Sequence, residues 1–562
     1  MVDITKKPFN LNNTQCNWVY ARLAEMSLEE KVGQLFLVIN FSQTDEQLLD
    51  AYRKIPFGGV MYRPGDSQEI HCRNTFIQSK VKIPLLIAAN LEAGGSGLAA
   101  DGTLYGSQLQ VAATNDSRNA RTLGRICGRE AAAIGANLAF APVVDIDRNW
   151  RNPITNTRTF GSDPDHVLEF ASEYLVGIKP HQVAVTLKHF PGDGVDERDQ
   201  HVLTSVNSLS CEEWDATDGK IYASLIAQGA QVVMTGHISQ PAYTRHFNPE
   251  ITDEDIMPAS MSPELIGGLL RGRLGFNGVV ITDAANMAGM CCAKPRKEVP
   301  AAAINAGNDM FLFGRNVQED YQNLLEAVKS GILPVSRLDE AVTRILALKA
   351  SLGLDQLQAA AAESSAEIVG CEDHRKLAED CADQSVTLVK DSQQLLPVSP
   401  EKHPRVWLFI LGDEVGFTGG WRCKDTVISE LERAGFQVTY FDKDKASMLD
   451  SQVPVSELRQ QYDLIMYFAN VSNASYKTVN RISWSSTVGV DAPYYVKDIP
   501  TLFVSLGNPY HFIDVPMIRT IVNAYTASQP VIRAVMDKLT GQSDFKGVSP
   551  VDPFCGVWGA NI

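Results

Sequence analysis

No apolar run in the 562-residue chain approaches the roughly 18 residues that a membrane-spanning helix needs. Positive charge is also scarce. Lys and Arg number 50 against 66 Asp and Glu, giving a formal charge of −16. A nucleic acid or an anionic membrane surface requires a basic face, so neither is an expected partner. The opening residues, MVDITKKPFNLNNTQ, hold no apolar core of the kind a secretory signal carries. Cysteine is thinly spread, with ten residues and no CxxC pair, which excludes a disulfide scaffold and a CxxC zinc site. Reduced thiols, and with them a cytoplasmic location, are the expectation.

The rest of the composition is that of an ordinary globular protein, 44% apolar and 21% charged. The chain is too long for one core, and two or three domains are expected. Ser27-Leu-Glu-Glu30 is a capping box that opens a first helix. Eight short apolar runs follow, at 35–39, 59–62, 84–89, 139–144, 183–187, 231–235, 278–282 and 309–313. Amphipathic stretches separate most of them, among them 118–134 and the segment opened by Ser262-Pro263-Glu264. This alternation predicts an α/β fold, a (β/α)8 TIM-like barrel over residues 1–355 closed by the amphipathic helix 338–354. An Ala-rich helical linker is expected over 356–380. Further apolar runs, including 406–411, 436–441, 462–468 and 501–506, predict a smaller α/β sandwich domain over 381–562.

Polar residues gather just after the predicted barrel strands, at the end where such barrels build their sites. Asn90 and Glu92 follow the third, Asp145 and Asp147 the fourth, Lys188 and His189 the fifth, His237 the sixth and Asp283 the seventh. The densest stretch is 187–201, LKHFPGDGVDERDQH. In a loop or extended segment, the Asp199-x-His201 spacing lets the carboxylate hold one imidazole nitrogen and leave the other free. That suits a proton-transfer histidine. Gly192 and Gly194 permit sharp turns, and no apolar residue anchors the loop between Val195 and Val202, so it is expected to move.

Each residue also has a plainer reading. Asp283 could be a helix N-cap before Ala284-Ala285-Asn286, and His201 could be a surface histidine in an acidic loop. His189, Asp193, Asp199 and His201 could in principle bind a metal, but neither an HExxH pairing nor an EF-hand supports that. No cofactor or metal is expected.

Five separated motifs span most of the chain: EMSLEEKVGQLF, FAPVVDID with NTRTFGSDP, KHFPGDGVDERDQH, GVVITDAANMAG and RLDEAVTRILALKASLGL. In these the chain resembles glycoside hydrolase family 3, in its β-N-acetylglucosaminidase branch and two-domain form. The resemblance implies a retaining exo-β-N-acetylglucosaminidase with Asp283 as nucleophile, His201 as acid/base and Asp199 as its partner. It further implies that Arg158, Lys188 and His189 hold sugar hydroxyls, with Asn90 and Glu92 also on the substrate side. The implied partner is a small carbohydrate, with water or inorganic phosphate as acceptor.

Two departures stand out. Relatives commonly read DQEGG-R where this chain has Asn90-Leu-Glu92-Ala-Gly94-Gly-Ser96, which puts peptidoglycan-fragment specificity in doubt. They often carry His where this chain has Asp193. A β-glucosidase or an N-acetylglucosaminide phosphorylase of the same family remains open, as does a non-catalytic sugar-binding protein.

Overall fold

The structure is a computed structural model that describes residues 2–40, 44–356, 365–414, 422–471, 475–486 and 488–560. Contacts divide the chain into two compact units. The first holds residues 1–104, 120–152 and 164–375. The second holds 105–119, 153–163 and 376–562.

The first unit contains a closed eight-stranded parallel barrel. Its strands are β1 (Phe36–Asn40), β2 (Gly59–Tyr62), β3 (Leu86–Ala89), β4 (Leu138–Ala139), β5 (Ala184–Phe190), β6 (Val232–Thr235), β7 (Val279–Ala284) and β8 (Met310–Leu312). Each overlaps one of the eight apolar runs, though β4 shares only Ala139 with the run 139–144. Burial on both faces requires near-continuous apolar sequence, and β2, β3, β5, β6 and β8 are buried throughout. The barrel closes where β1 pairs with β8, Phe36 opposite Phe311.

The Ser27 capping box forms as expected: the Ser27 N–H donates to Glu30 at 2.8 Å and the Glu30 N–H to Ser27 Oγ at 3.2 Å. Its helix, Leu28–Gln34, ends one residue short of β1. The long closing helix is Val335–Ser351, followed by Gly353 at φ 75°. Arg337 and Arg344 on this helix, together with Arg271, converge on buried Asp309 at the start of β8. Asp309 also accepts the Val280 N–H at 2.9 Å, tying β7 to β8 at the end of the barrel opposite its mouth.

The second unit is built on a six-stranded sheet. Its strands are β9 (Thr387–Asp391), β10 (Arg405–Gly412), β11 (Gln437–Tyr440), β12 (Leu464–Asn470), β13 (Thr501–Ser505) and β14 (Thr520–Asn523). Their order is β9-β14-β13-β12-β10-β11, parallel except for β9 against β14. Alternate residues of β12 enter separate cores on the two faces, Leu464, Met466 and Phe468 on one and Ile465, Tyr467 and Ala469 on the other. Burial of both faces explains why this strand reads as an unbroken apolar run.

Much of the Ala-rich linker predicted after the barrel, residues 357–364, lies outside the described residues. A helix at Glu372–Ser385 follows it. None of the ten cysteines is in a disulfide. Among the described residues, no helix is long and apolar enough to cross a membrane.

Candidate active site

Strand β5 runs through Lys188 and His189, so both leave the barrel wall at its C-terminal end. Lys188 is nearly fully buried and is met by Glu92, Nζ to Oε1 at 2.6 Å. Glu92 sits on the loop after β3. That loop doubles back so tightly that a Cβ on Gly97 would lie 1.6 Å from the Asn90 carbonyl oxygen. Asn90 itself is exposed.

His189 is fixed from behind by Asp145, which follows β4. The carboxylate lies 2.7 Å from Nδ1 and accepts the His189 backbone N–H at 2.9 Å. The other ring nitrogen, Nε2, faces Asp283 at 3.9 Å.

Asp283 is the fifth residue of β7, and its side chain is mostly buried. No helix starts at Ala284. The next one, Ala288–Cys291, begins after Met287, so the N-cap reading of Asp283 fails. Its Oδ1 accepts the Ala284 N–H at 2.7 Å. The Ala284 carbonyl in turn accepts from His237 Nε2 at 3.1 Å, and His237 Nδ1 lies 2.9 Å from Ser260 Oγ. That pairing assigns the proton to Nε2 and makes Ser260 the donor to Nδ1. Burial lowers the His237 pKa and keeps the ring neutral.

Burial alone would raise the Asp283 pKa. The field of His189, then of His237 and His201, and the Ala284 N–H outweigh it, so the carboxyl stays below its ordinary value. Lys188 is taken up by Glu92. Arg158 lies on the turn Asn156–Arg158, which clusters with the second unit.

His201 and Asp199 pair as their spacing predicted, Nδ1 to Oδ1 at 2.7 Å. The same oxygen accepts the His201 N–H at 2.8 Å. The Asp199 side chain is fully buried, while His201 remains 18% exposed, so it is not a free surface histidine. Gly192 and Gly194 take φ of 119° and 97°, which gives the loop the turns that glycine permits.

The loop between Val195 and Val202 has no apolar anchor in sequence, and was expected to move for that reason. Polar groups hold it. Gln200, between the two members of the dyad, is fully buried; it donates to Asp193 at 3.1 Å and accepts the His237 N–H at 2.8 Å. The His201 carbonyl accepts the Ala288 N–H at 3.0 Å, joining the dyad to the segment after β7. A Cβ on Gly289 would sit 2.3 Å from the Gln200 carbonyl oxygen, so the two segments touch backbone to backbone.

The barrel mouth thus brings together Glu92, Lys188, His189, Asp283, His201 and Asp199, with Asp145, Gln200 and His237 behind them. Sequence reasoning placed Asp145 and His237 at strand ends without assigning them to the site, and Gln200 was missed. Its only signal was its place inside the dyad motif. Among the described residues, no group of three or more His, Cys, Asp or Glu is arranged to hold a metal ion.

The mouth of a closed barrel thus presents a carboxylate and a carboxylate-held imidazole, groups suited to nucleophilic and acid/base chemistry. The family model for the glycosyl hydrolase family 3 N-terminal domain matches residues 27–348, and the chain belongs to that family. A β-N-acetylglucosaminidase/β-glucosidase of Cellulomonas fimi is 43% identical over the full length of both chains. Among solved structures, a β-glucoside phosphorylase, BglX, superposes with a TM-score of 0.94 at 43% identity, covering 99% of each chain. A family 3 β-N-acetylglucosaminidase from Paenibacillus sp. str. FPU-7 does so with a TM-score of 0.80 at 26% identity, over 95% of this chain and all of the other.

Proposed function

We propose that this protein is a retaining, exo-acting enzyme that removes terminal β-linked N-acetylglucosaminyl or glucosyl groups through a glycosyl-Asp283 intermediate, with inorganic phosphate competing with water as acceptor. The observation that carries the reading is the 2.7 Å contact between Asp199 and His201 Nδ1, which leaves Nε2 as the proton-transferring atom beside an ionised Asp283.

In the first step an Asp283 oxygen attacks the anomeric carbon. The glycosidic C–O bond breaks, and protonated His201 gives its Nε2 proton to the leaving oxygen. Asp199 stabilises the imidazolium and fixes the tautomer without taking the proton. In the second step the acceptor oxygen attacks the same carbon from the vacated side, and the bond to Asp283 breaks. Water loses its proton to the now neutral His201. Two inversions leave the sugar β-configured, as free sugar or as sugar 1-phosphate.

The charge of the acid/base bears on the acceptor. A carboxylate in place of His201 would oppose each negative charge of phosphate by about 4 kcal/mol at 4 Å in a partly screened site. Neutral imidazole imposes no such cost. The dual name of the Cellulomonas relative supports both sugars, and the name of the 43%-identical phosphorylase supports phosphate. The assembled dyad and ionised Asp283 weigh against a non-catalytic sugar-binding protein.

The test is a panel of aryl β-glycosides (N-acetylglucosaminide, glucoside and xyloside), each assayed with and without phosphate. The expected result is turnover of the first two, with sugar 1-phosphate as the main product when phosphate is present. Rates and products indifferent to phosphate would assign the enzyme to hydrolysis.

A further inference from the structure

Asp193 lies behind the dyad, nearly fully buried, and makes no use of its charge in the chemistry above. Its oxygens are fully engaged. Oδ1 accepts Asn152 Nδ2 at 2.9 Å and the Gly194 N–H at 2.7 Å, and Oδ2 accepts Gln200 Nε2 at 3.1 Å. Its own N–H donates to Asp145 at 2.8 Å, the carboxylate that holds His189. Gln200 passes the connection on by accepting the His237 N–H.

We propose that Asp193 is a positioning residue for the acid/base: through Gln200 it sets where the Asp199–His201 segment sits against the end of β6. The inference rests on His201 being the acid/base. It goes further in making the placement of His201 depend on the polarity of one buried hydrogen-bond relay.

That polarity runs one way. Gln200 must present its oxygen to the His237 N–H and its NH2 to Asp193. The titratable groups facing Asp193 are Asp145, after β4, and His189, on β5. Burial first, and Asp145 second, raise the Asp193 pKa to about 6, so at neutral pH the carboxylate is ionised and accepts from Gln200.

Asp193→Asn turns one oxygen into a donor. Its NH2 then opposes the NH2 of Gln200, and if the Gln200 amide flips, the conflict moves to the His237 N–H. Gln200→Glu places two carboxylates face to face. Combined, the two substitutions restore a complementary relay: the introduced glutamate accepts from the introduced asparagine and from the His237 N–H, and the pair keeps one negative charge.

The experiment measures kcat/KM for both single variants, the double variant and His201→Ala. One substrate is a β-glycoside with an alkyl leaving group, which needs a proton. The other is a dinitrophenyl β-glycoside, which does not. A positioning role predicts that each single variant loses about tenfold or more on the alkyl substrate and much less on the aryl one, and that the double variant recovers most of the loss. Parallel loss on both substrates, or a double variant no better than the worse single, overturns the proposal. Should His201→Ala itself lower both substrates equally, the acid/base assignment fails instead. If Asp193→Asn does not accumulate folded, Gln200→Glu alone decides. Relative to wild type, its alkyl-to-aryl ratio recovers from about pH 8 to about pH 5.5, as the facing carboxyls come to share a proton. A ratio that does not change with pH overturns the proposal.

Discussion

Lys349 offers a test of the physical reasoning remote from the chemistry. It lies on the closing helix of the barrel, fully buried, and Nζ has Gln34 Oε1 at 2.6 Å. Among the described residues no carboxylate shifts its titration; burial is the one cause, and it lowers the pKa from 10.5 to about 7. The folded state therefore holds this proton less tightly than the unfolded chain does. The resulting penalty is complete below about pH 7 and shrinks as pH rises toward 10.5, so this group makes stability grow with pH across that window. The full penalty is ~5 kcal/mol.

Lys349→Met keeps the shape and removes the charge. It also strands Gln34 Oε1 without a donor, at a cost of about 1–3 kcal/mol. The variant should be more stable than wild type by about 2–4 kcal/mol near pH 6, and less stable by up to about 2 kcal/mol near pH 10. Urea unfolding followed by tryptophan fluorescence at the two pH values, with unchanged m-values, reads the difference. A variant destabilised equally at both would refute the argument, since the ammonium would then carry no desolvation penalty.

The remaining predictions concern the barrel and its reaction. Asp309→Ala leaves Arg271, Arg337 and Arg344 converging on an empty position, and should cost about 3–5 kcal/mol, read as a fall in melting temperature. A loss under about 1 kcal/mol would show that the arginines find other partners. Dialysis against a chelator should leave turnover unchanged, because the proposed steps use only Asp283, His201 and Asp199. A loss restored by added divalent cation would contradict that.

The barrel was legible because strands buried on both faces must be short, apolar and bounded by polar strand ends. Each of the eight runs overlaps a strand of the barrel. In the second unit β14 was not read, because TIVN is four residues long and has little pattern to distinguish it. The dyad was legible from i, i+2 spacing alone. Its anchors were not, since Asp193–Asn152, Gln200–His237 and His189–Asp145 join residues some 37 to 44 positions apart. A loop that lacks apolar anchors in sequence can still be held by buried amides, and here it is. Asp193, which the motif alone left unexplained, is the acceptor to which one of those amides, Gln200, donates.

The claim on which the account rests is that Asp283 becomes covalently glycosylated. Incubating the enzyme with a 2-deoxy-2-fluoro β-glucoside bearing an activated leaving group, followed by proteolysis and peptide mass spectrometry, tests it directly. The account predicts one added fluoroglucosyl group, on Asp283 in the peptide containing VVITDAANM. A label on any other carboxylate, or turnover with inverted product and no adduct, would contradict it.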